Sequence, residues 1–309
     1  MSQDRIAAGP AHWPALAGQA GLPVDGWTPQ LLGPRKDGKG NRVVVRLEHP
    51  SHAAVICMQS LNPADIAATG ATVRAQAAAA DALFNHPDAG VPAILASLPA
   101  EGAVAMVAVV GETLAQLAEP GLPPGALHRA ALWTDAFHRI GPVEKRAFQP
   151  RFIVNHLLRL RDGPRPIARR DRFRAYADRL AERAAAVTGA ATVSSLRHGD
   201  LSARNLLLAE DRVWGMDLKN ADTGPVGFDI ARLLVDLAEH IPGSDPAEIG
   251  AGFFTGYRLT GADDATIPFL TLARLLSNWA GMPAVEDRMN LLQTLRFHRI
   301  LALAEAGFA

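Results

Sequence analysis

His198-Gly199-Asp200-Leu201-Ser202-Ala203-Arg204-Asn205 is followed at once by two short apolar runs, 206–208 and 213–216, with a polar turn between them and Asp217 directly behind the second. Runs of this length around a polar turn read as a β-hairpin. Such a hairpin carries Asp200 and Asn205 ahead of its first strand and Asp217 behind its second, so all three belong to one end of it. A carboxylate can accept the proton of an attacking hydroxyl, and side-chain oxygens suit a hard cation such as Mg²⁺ that keeps waters and phosphates in its shell. Few other protein groups are needed for phosphoryl transfer.

Outward from the hairpin, helical spacing surrounds it on both sides. Ala130, Trp133, Phe137 and Ile140 recur at threes and fours, as do Phe173, Tyr176, Leu180, Ala184 and Val187, and then Ile230, Leu233, Leu234, Leu237 and Ile241. The N-terminal part reads differently. Residues 30–32, 43–47, 53–58 and 103–110 have strand character, the second and third joined by a turn at His49-Pro50-Ser51. Residues 64–84 are alanine-rich without proline and read as a helix, and the proline-bearing start reads as a loose leader with one short helix near 15–18. The expected fold is therefore α+β and bilobal, with a small β-rich lobe over 1–110 and a larger, mostly helical lobe over 111–309.

The chain has 31 basic and 31 acidic residues, a balance that argues against nucleic acid as a partner. Its basic cluster at Arg169, Arg170, Arg172 and Arg174 reads as a solvated helix start. Cys57 is the sole cysteine, so no intramolecular disulfide forms and a reducing compartment fits. Residues 1–5 do not read as a signal peptide, and the apolar run 103–110 is too short to span a bilayer. The expectation is a cytoplasmic protein with no membrane partner, its oligomeric state undetermined.

The string His198-x-Asp200-x₄-Asn205 with Asp217 behind a hairpin resembles the catalytic loop and metal-binding Asp of the kinase-like fold. Gly199 makes it more similar to the aminoglycoside phosphotransferase and choline kinase family than to protein kinases. The resemblance implies an ATP-dependent (or other NTP-dependent), Mg²⁺-requiring kinase with a nucleotide-binding N-terminal lobe. In it Asp200 is the catalytic base, Asn205 and Asp217 are metal ligands, and His198 braces the loop. Asp229, at the end of Gly224-Pro225-Val226-Gly227-Phe228-Asp229, reads as the N-cap of the next helix and, by the resemblance, ties that helix to the loop. The stretch 218–228 leaves no room for a peptide-docking activation segment, so the acceptor is expected to be a small molecule: an amino sugar, an amino alcohol or a related metabolite. Glu239, Asp245, Glu248, Asp263, Asp264, Glu286 and Asp287 could supply contacts to a cationic acceptor, although scattered acids are usually solvated.

The small lobe matches the family in outline only. Gly40-Asn41-Arg42-Val43 resembles the nucleotide-covering loop and Val109-Val110-Gly111-Glu112 the hinge, which makes Val110 a nucleotide-binding candidate. The family's third strand carries a lysine paired with a helix glutamate. Here Cys57 stands at the expected lysine position and Gln76 at the glutamate's, and the four lysines are Lys36, Lys39, Lys145 and Lys219. Loss of both partners avoids a lone buried charge. Lys39, Arg42 or Lys219 would then supply the missing cation, with Lys219 preferred for its place beside Asp217. The alternative is a binding or regulatory module of the same fold with weak or no catalysis.

Overall fold

The computed structural model describes residues 10–32, 42–218, 222–241, 246–261 and 264–308. Contacts divide the chain into two compact units. The first comprises Met1–Gly111 and Ala209–Ala221, the second Glu112–Leu208 and Asp222–Ala309. The segment 209–221, read from sequence as part of the second lobe, thus groups with the first unit.

In the first unit, helix α1 (Trp13–Ala20) precedes strands β1 (Thr28–Leu31), β2 (Arg42–His49) and β3 (His52–Ser60). Helix α2 (Pro63–Ala82), strands β4 (Ala89–Gly90), β5 (Ile94–Leu98) and β6 (Ala103–Val107) follow. Five of these strands form an antiparallel sheet in the order β1-β2-β3-β6-β5. Alternation decides its faces, because neighbouring residues of a strand point to opposite sides. Val45, Cys57 and Ala105 stand in register and are buried with Trp13 and Leu16 of α1. Helix α2 starts cleanly: the Asn62 side chain accepts the Ala64 N–H at 2.8 Å and Pro63 opens the first turn.

The second unit contains β7 (Glu112–Thr113), α3 (Leu114–Ala118), α4 (Ala126–His138), β8 (Glu144–Ala147), α5 (Arg151–Asp162), α6 (Arg170–Val187), β9 (Ala191–Arg197) and β10 (Leu206–Leu208). Strand β11 (Val213–Gly215) belongs to the first unit, where it runs parallel to β4. Back in the second unit come β12 (Asp222–Pro225), α7 (Gly227–His240), α8 (Pro246–Phe254), α9 (Thr266–Gly281) and α10 (Leu291–Phe308). Strand β9 is the centre of an antiparallel sheet β12-β9-β8, and β10 pairs with β7. The main core forms between α6, α7, α9 and α10, with Phe173, Val235, Leu276, Trp279, Phe297 and Ile300 buried in it. Ala231 and Val235 place α7 in this core with one face, which leaves its Asp229–Arg232–Asp236 face for polar work.

Candidate active site

Strand β9 delivers the loop 198–205, and its end is held from two sides. The Ser195 hydroxyl donates to the carbonyl of His138 at the end of α4. Arg197 forks onto Asp222 of β12, with Nη2 at 2.8 and 2.6 Å from the two carboxylate oxygens, and its guanidinium stands 5.1 Å over the Phe228 ring.

Beyond Arg197 the backbone turns onto Asp229 of α7. The N–H of His198 donates to Asp229 Oδ2 at 2.6 Å and that of Gly199 to Oδ1 at 3.1 Å. Asp229 is not the N-cap expected from sequence. Helix α7 is preceded by Val226, without a side-chain cap, and Asp229 sits inside the first turn with its carboxylate turned to the loop. The buried His198 N–H and the neighbouring Gly199 N–H both need an acceptor at this turn, and that need outweighs capping. His138 Nε2 lies 3.2 Å from the same Oδ2, and its Nδ1 lies 2.8 Å from the Tyr257 hydroxyl. Burial opposes the charge of Asp229. The hydrogen bond and charge of His138, the charge of His198 and the His198 N–H outweigh it and hold the carboxyl below the usual carboxylate range. Burial, reinforced by Asp135 and Asp229, raises Tyr257 and keeps it a neutral phenol.

Gly199 adopts φ 76°, a left-handed conformation that glycine takes without steric cost. After it the chain presents Asp200, half-buried. The Asp200 N–H points to His198 Nδ1 at 3.3 Å, and the fully buried His198 ring packs 6.0 Å from Trp133 and 5.9 Å from Phe137, centre to centre. Asn205 Nδ2 donates to the Asp200 carbonyl at 2.8 Å, so its amide oxygen is turned away from that carbonyl. The Asp200 carboxylate is ion-paired with Arg232 of α7. One turn further on, Asp236 Oδ2 accepts the Ala203 N–H at 2.9 Å. Asp229, Arg232 and Asp236 are spaced by three and four, so a single helix face holds the loop at three points.

Asp217 belongs to the first unit, just after β11. Its φ is 58°, and among the described residues only Arg169 shares such a left-handed non-glycine backbone. Strain of this kind collects at functional positions. Arg42 of β2 donates to its carboxylate, Nη1 to Oδ1 at 2.6 Å. Val110 follows β6, which ends at Val107 rather than continuing to 110, and its side chain is exposed. Lys39 and Lys219, with Lys36, Asp245 and Asp263, lie outside the described residues.

The expected pairing of Cys57 with Gln76 is corrected. Cys57 faces the α1 side of the sheet, where burial pushes its thiol up to about 12. Gln76 of α2 donates to Pro92 O at 2.9 Å and lies 3.7 Å from Met106 Sδ. Met106 is in register with Ile56, so Ile56 is the β3 residue on the Gln76 face. Neither position of β3 offers a cation. Three of the acids suggested for a cationic acceptor are committed elsewhere too. Glu239 is buried and binds Arg296 and Asn278, Asp264 binds the Thr266 N–H and hydroxyl, and Glu286 forks with Arg169.

Sequence reasoning passed over His138, Tyr257, Arg232 and Asp236. The α7 spacing 229–232–236 was the available signal for two of them, whereas His138 and Tyr257 come together only through the packing of distant segments.

Residues 34–269 match the model of the phosphotransferase enzyme family, APH. No curated protein matches this chain in sequence. The chain is similar in structure to a choline/ethanolamine kinase family protein from Mesorhizobium loti, at 18% identity over 94% of both chains with TM-score 0.63. It is also similar to a microcompartment-associated aminopropanol kinase, at 16% identity over 90% of this chain and 91% of the other, TM-score 0.60. A spectinomycin phosphotransferase solved with ADP and spectinomycin gives 13% identity over 96% and 97%, TM-score 0.59. These likenesses establish the fold, the α+β architecture of the kinase-like phosphotransferases.

Proposed function

Because the chain belongs to the phosphotransferase enzyme family, we propose that it moves the γ-phosphoryl group of ATP to a hydroxyl of a small molecule, with Asp200 as the base. The observation that carries this reading is the loop itself. Asp229, Asp236 and His198 fix its backbone at successive N–H groups, so a half-exposed carboxylate and a back-bonded asparagine are presented together. Preorganisation of this kind is most of what a protein contributes to phosphoryl transfer.

In the proposed reaction the acceptor oxygen bonds to the γ-phosphorus while its bond to the β,γ-bridging oxygen breaks. ADP leaves, and the hydroxyl proton passes to an Asp200 carboxylate oxygen. Asn205, through its amide oxygen, and Asp217, through its carboxylate, are hard oxygen donors of the type Mg²⁺ takes alongside phosphate and water. The cation would neutralise charge on the transferred group. Arg42 is the substitute for the missing third-strand lysine among the described residues. In this reading it exchanges its Asp217 contact for a phosphate oxygen.

Thermal denaturation with ATP and MgCl₂ tests the nucleotide half of this reading, since a ligand of the native state raises apparent stability. Wild type should gain several degrees, Asp217→Ala should gain none, and Arg42→Ala should need at least ~10-fold more nucleotide, the loss expected when a charged hydrogen bond goes. No response of wild type to any nucleotide with Mg²⁺ would contradict it.

A further inference from the structure

Next to Asp200, α7 and α9 carry two arginines whose hydrogen-bonding capacity the protein does not use up. Arg232 reaches the Asp200 carboxylate, yet its Nε–H is buried with no partner among the described residues. Arg274 of α9 likewise has a buried Nε without a partner among the described residues. Three acids lie within electrostatic reach of Arg274, namely Glu239, Asp236 and Asp200. Each is committed: Glu239 to Asn278 and Arg296, Asp236 to the Ala203 N–H, and Asp200 to Arg232. Burial first, and then the neighbouring charge of Arg232, hold Arg274 below the ordinary guanidinium value. A buried donor left unmade is costly, and two adjacent guanidiniums repel. Apolar residues of the same shape would be cheaper, so the arrangement calls for an anion.

We propose that Arg232 and Arg274 bind an anionic group of the acceptor, a carboxylate or a phosphate ester, beside the hydroxyl that Asp200 deprotonates. Planar guanidiniums match either anion with paired hydrogen bonds. The acceptor is then a hydroxy acid or a phosphorylated alcohol, in place of the amino sugar or amino alcohol expected from sequence. Arg232 has two roles in this arrangement. It occupies Asp200 while the site awaits acceptor, and it is shared with the incoming anion, which places the hydroxyl at the base. This inference rests on the phosphotransferase reading for the identity of the ligand as acceptor, but the anion site itself does not.

Two measurements keep the ideas separable. The first is thermal shift without nucleotide, at constant ionic strength, using glycerate, glycerol 3-phosphate, glycerol and 3-amino-1,2-propanediol, then gluconate, glucose 6-phosphate, glucose and glucosamine. At least one anion should stabilise wild type while its neutral and cationic counterparts do not, and Arg274→Gln should weaken that binding at least ~10-fold. Arg274→Lys, which keeps the charge, should retain part of it. The carboxylate and phosphate arms tell which anion is taken. The second measurement is ADP formation from ATP and Mg²⁺ with the same compounds, where the anionic member should have the highest kcat/KM and Arg274→Gln should raise its KM while leaving the ATP-induced thermal shift intact. Preference for a cationic or neutral member, or an anion response unchanged in Arg274→Gln, overturns the inference. So does the absence of any anion response. Anion binding that depends on Arg274 without transfer to any acceptor would instead keep the site and remove the kinase reading.

Discussion

Asp229 carries more of the loop than any other side chain, and its chemistry makes that testable. Its carboxylate is buried, accepts the N–H groups of His198 and Gly199, and faces His138. Its pKa is held below the usual carboxylate range. A carboxyl whose folded value is depressed stabilises the native state fully above its unfolded pKa, and this contribution disappears as pH falls through the folded value. Urea denaturation of wild type and Asp229→Asn should therefore differ most at neutral pH and converge under acid conditions. A difference that stays constant from pH 7 to pH 3 would show that the ionised form is not what holds the loop. Sequence revealed Asp229 as important but gave it the wrong bond, since a polar residue near a helix start is usually a cap and only the folded chain shows which N–H groups need an acceptor. Cys57 was misjudged for a related reason. Strand periodicity fixes two faces but does not say which one meets α2, and a one-residue choice changes the side.

At the scale of elements, the helical half and the strands β2, β3 and β6 were legible because their periodicity is carried by large apolar side chains. Strand β9 was not. It reads Ala191-Thr192-Val193-Ser194-Ser195-Leu196-Arg197, and its Ser194 and Ser195 are buried. The Ser195 hydroxyl is satisfied by the His138 carbonyl, so polar residues occupy core positions and hide the alternation. Strand β5 and the short strands β8 and β12 escaped as well, β8 and β12 through turn-like or charged composition. Helix α9 shows how the second unit is tied together. Trp279 is fully buried, packs with Phe173, Tyr176 and Phe297, and donates Nε1–H to the Ala168 carbonyl at 2.8 Å. Trp279→Phe leaves that carbonyl unpaired and a void beside it, at an expected cost of ~2–4 kcal/mol. The check is the urea midpoint at unchanged m-value. An unshifted midpoint would mean that the α6–α9 packing is not what stabilises this unit.

For the whole molecule, family membership was legible in one short motif and its hairpin, and the kinase-like α+β fold in that motif together with the periodicity of the two halves. Less legible was the electrostatic setting of that motif. Charges at 232, 236, 239 and 274 look like solvated helix faces in a sequence, and only the packing of α7 against α9 turns them into a network around Asp200. No helix of the described residues is long and apolar enough to cross a membrane. The central claim is that Asp200 is the base of a phosphoryl transfer to a small-molecule hydroxyl. Its most direct test is the rate of ATP-dependent transfer to the acceptor panel for wild type and Asp200→Asn, at nucleotide concentrations that saturate the thermal shift of both. The account predicts a fall of ~10²–10⁴-fold in kcat with the nucleotide-induced shift preserved, as loss of a general base requires. A variant that binds nucleotide normally and transfers at close to the wild-type rate would contradict it.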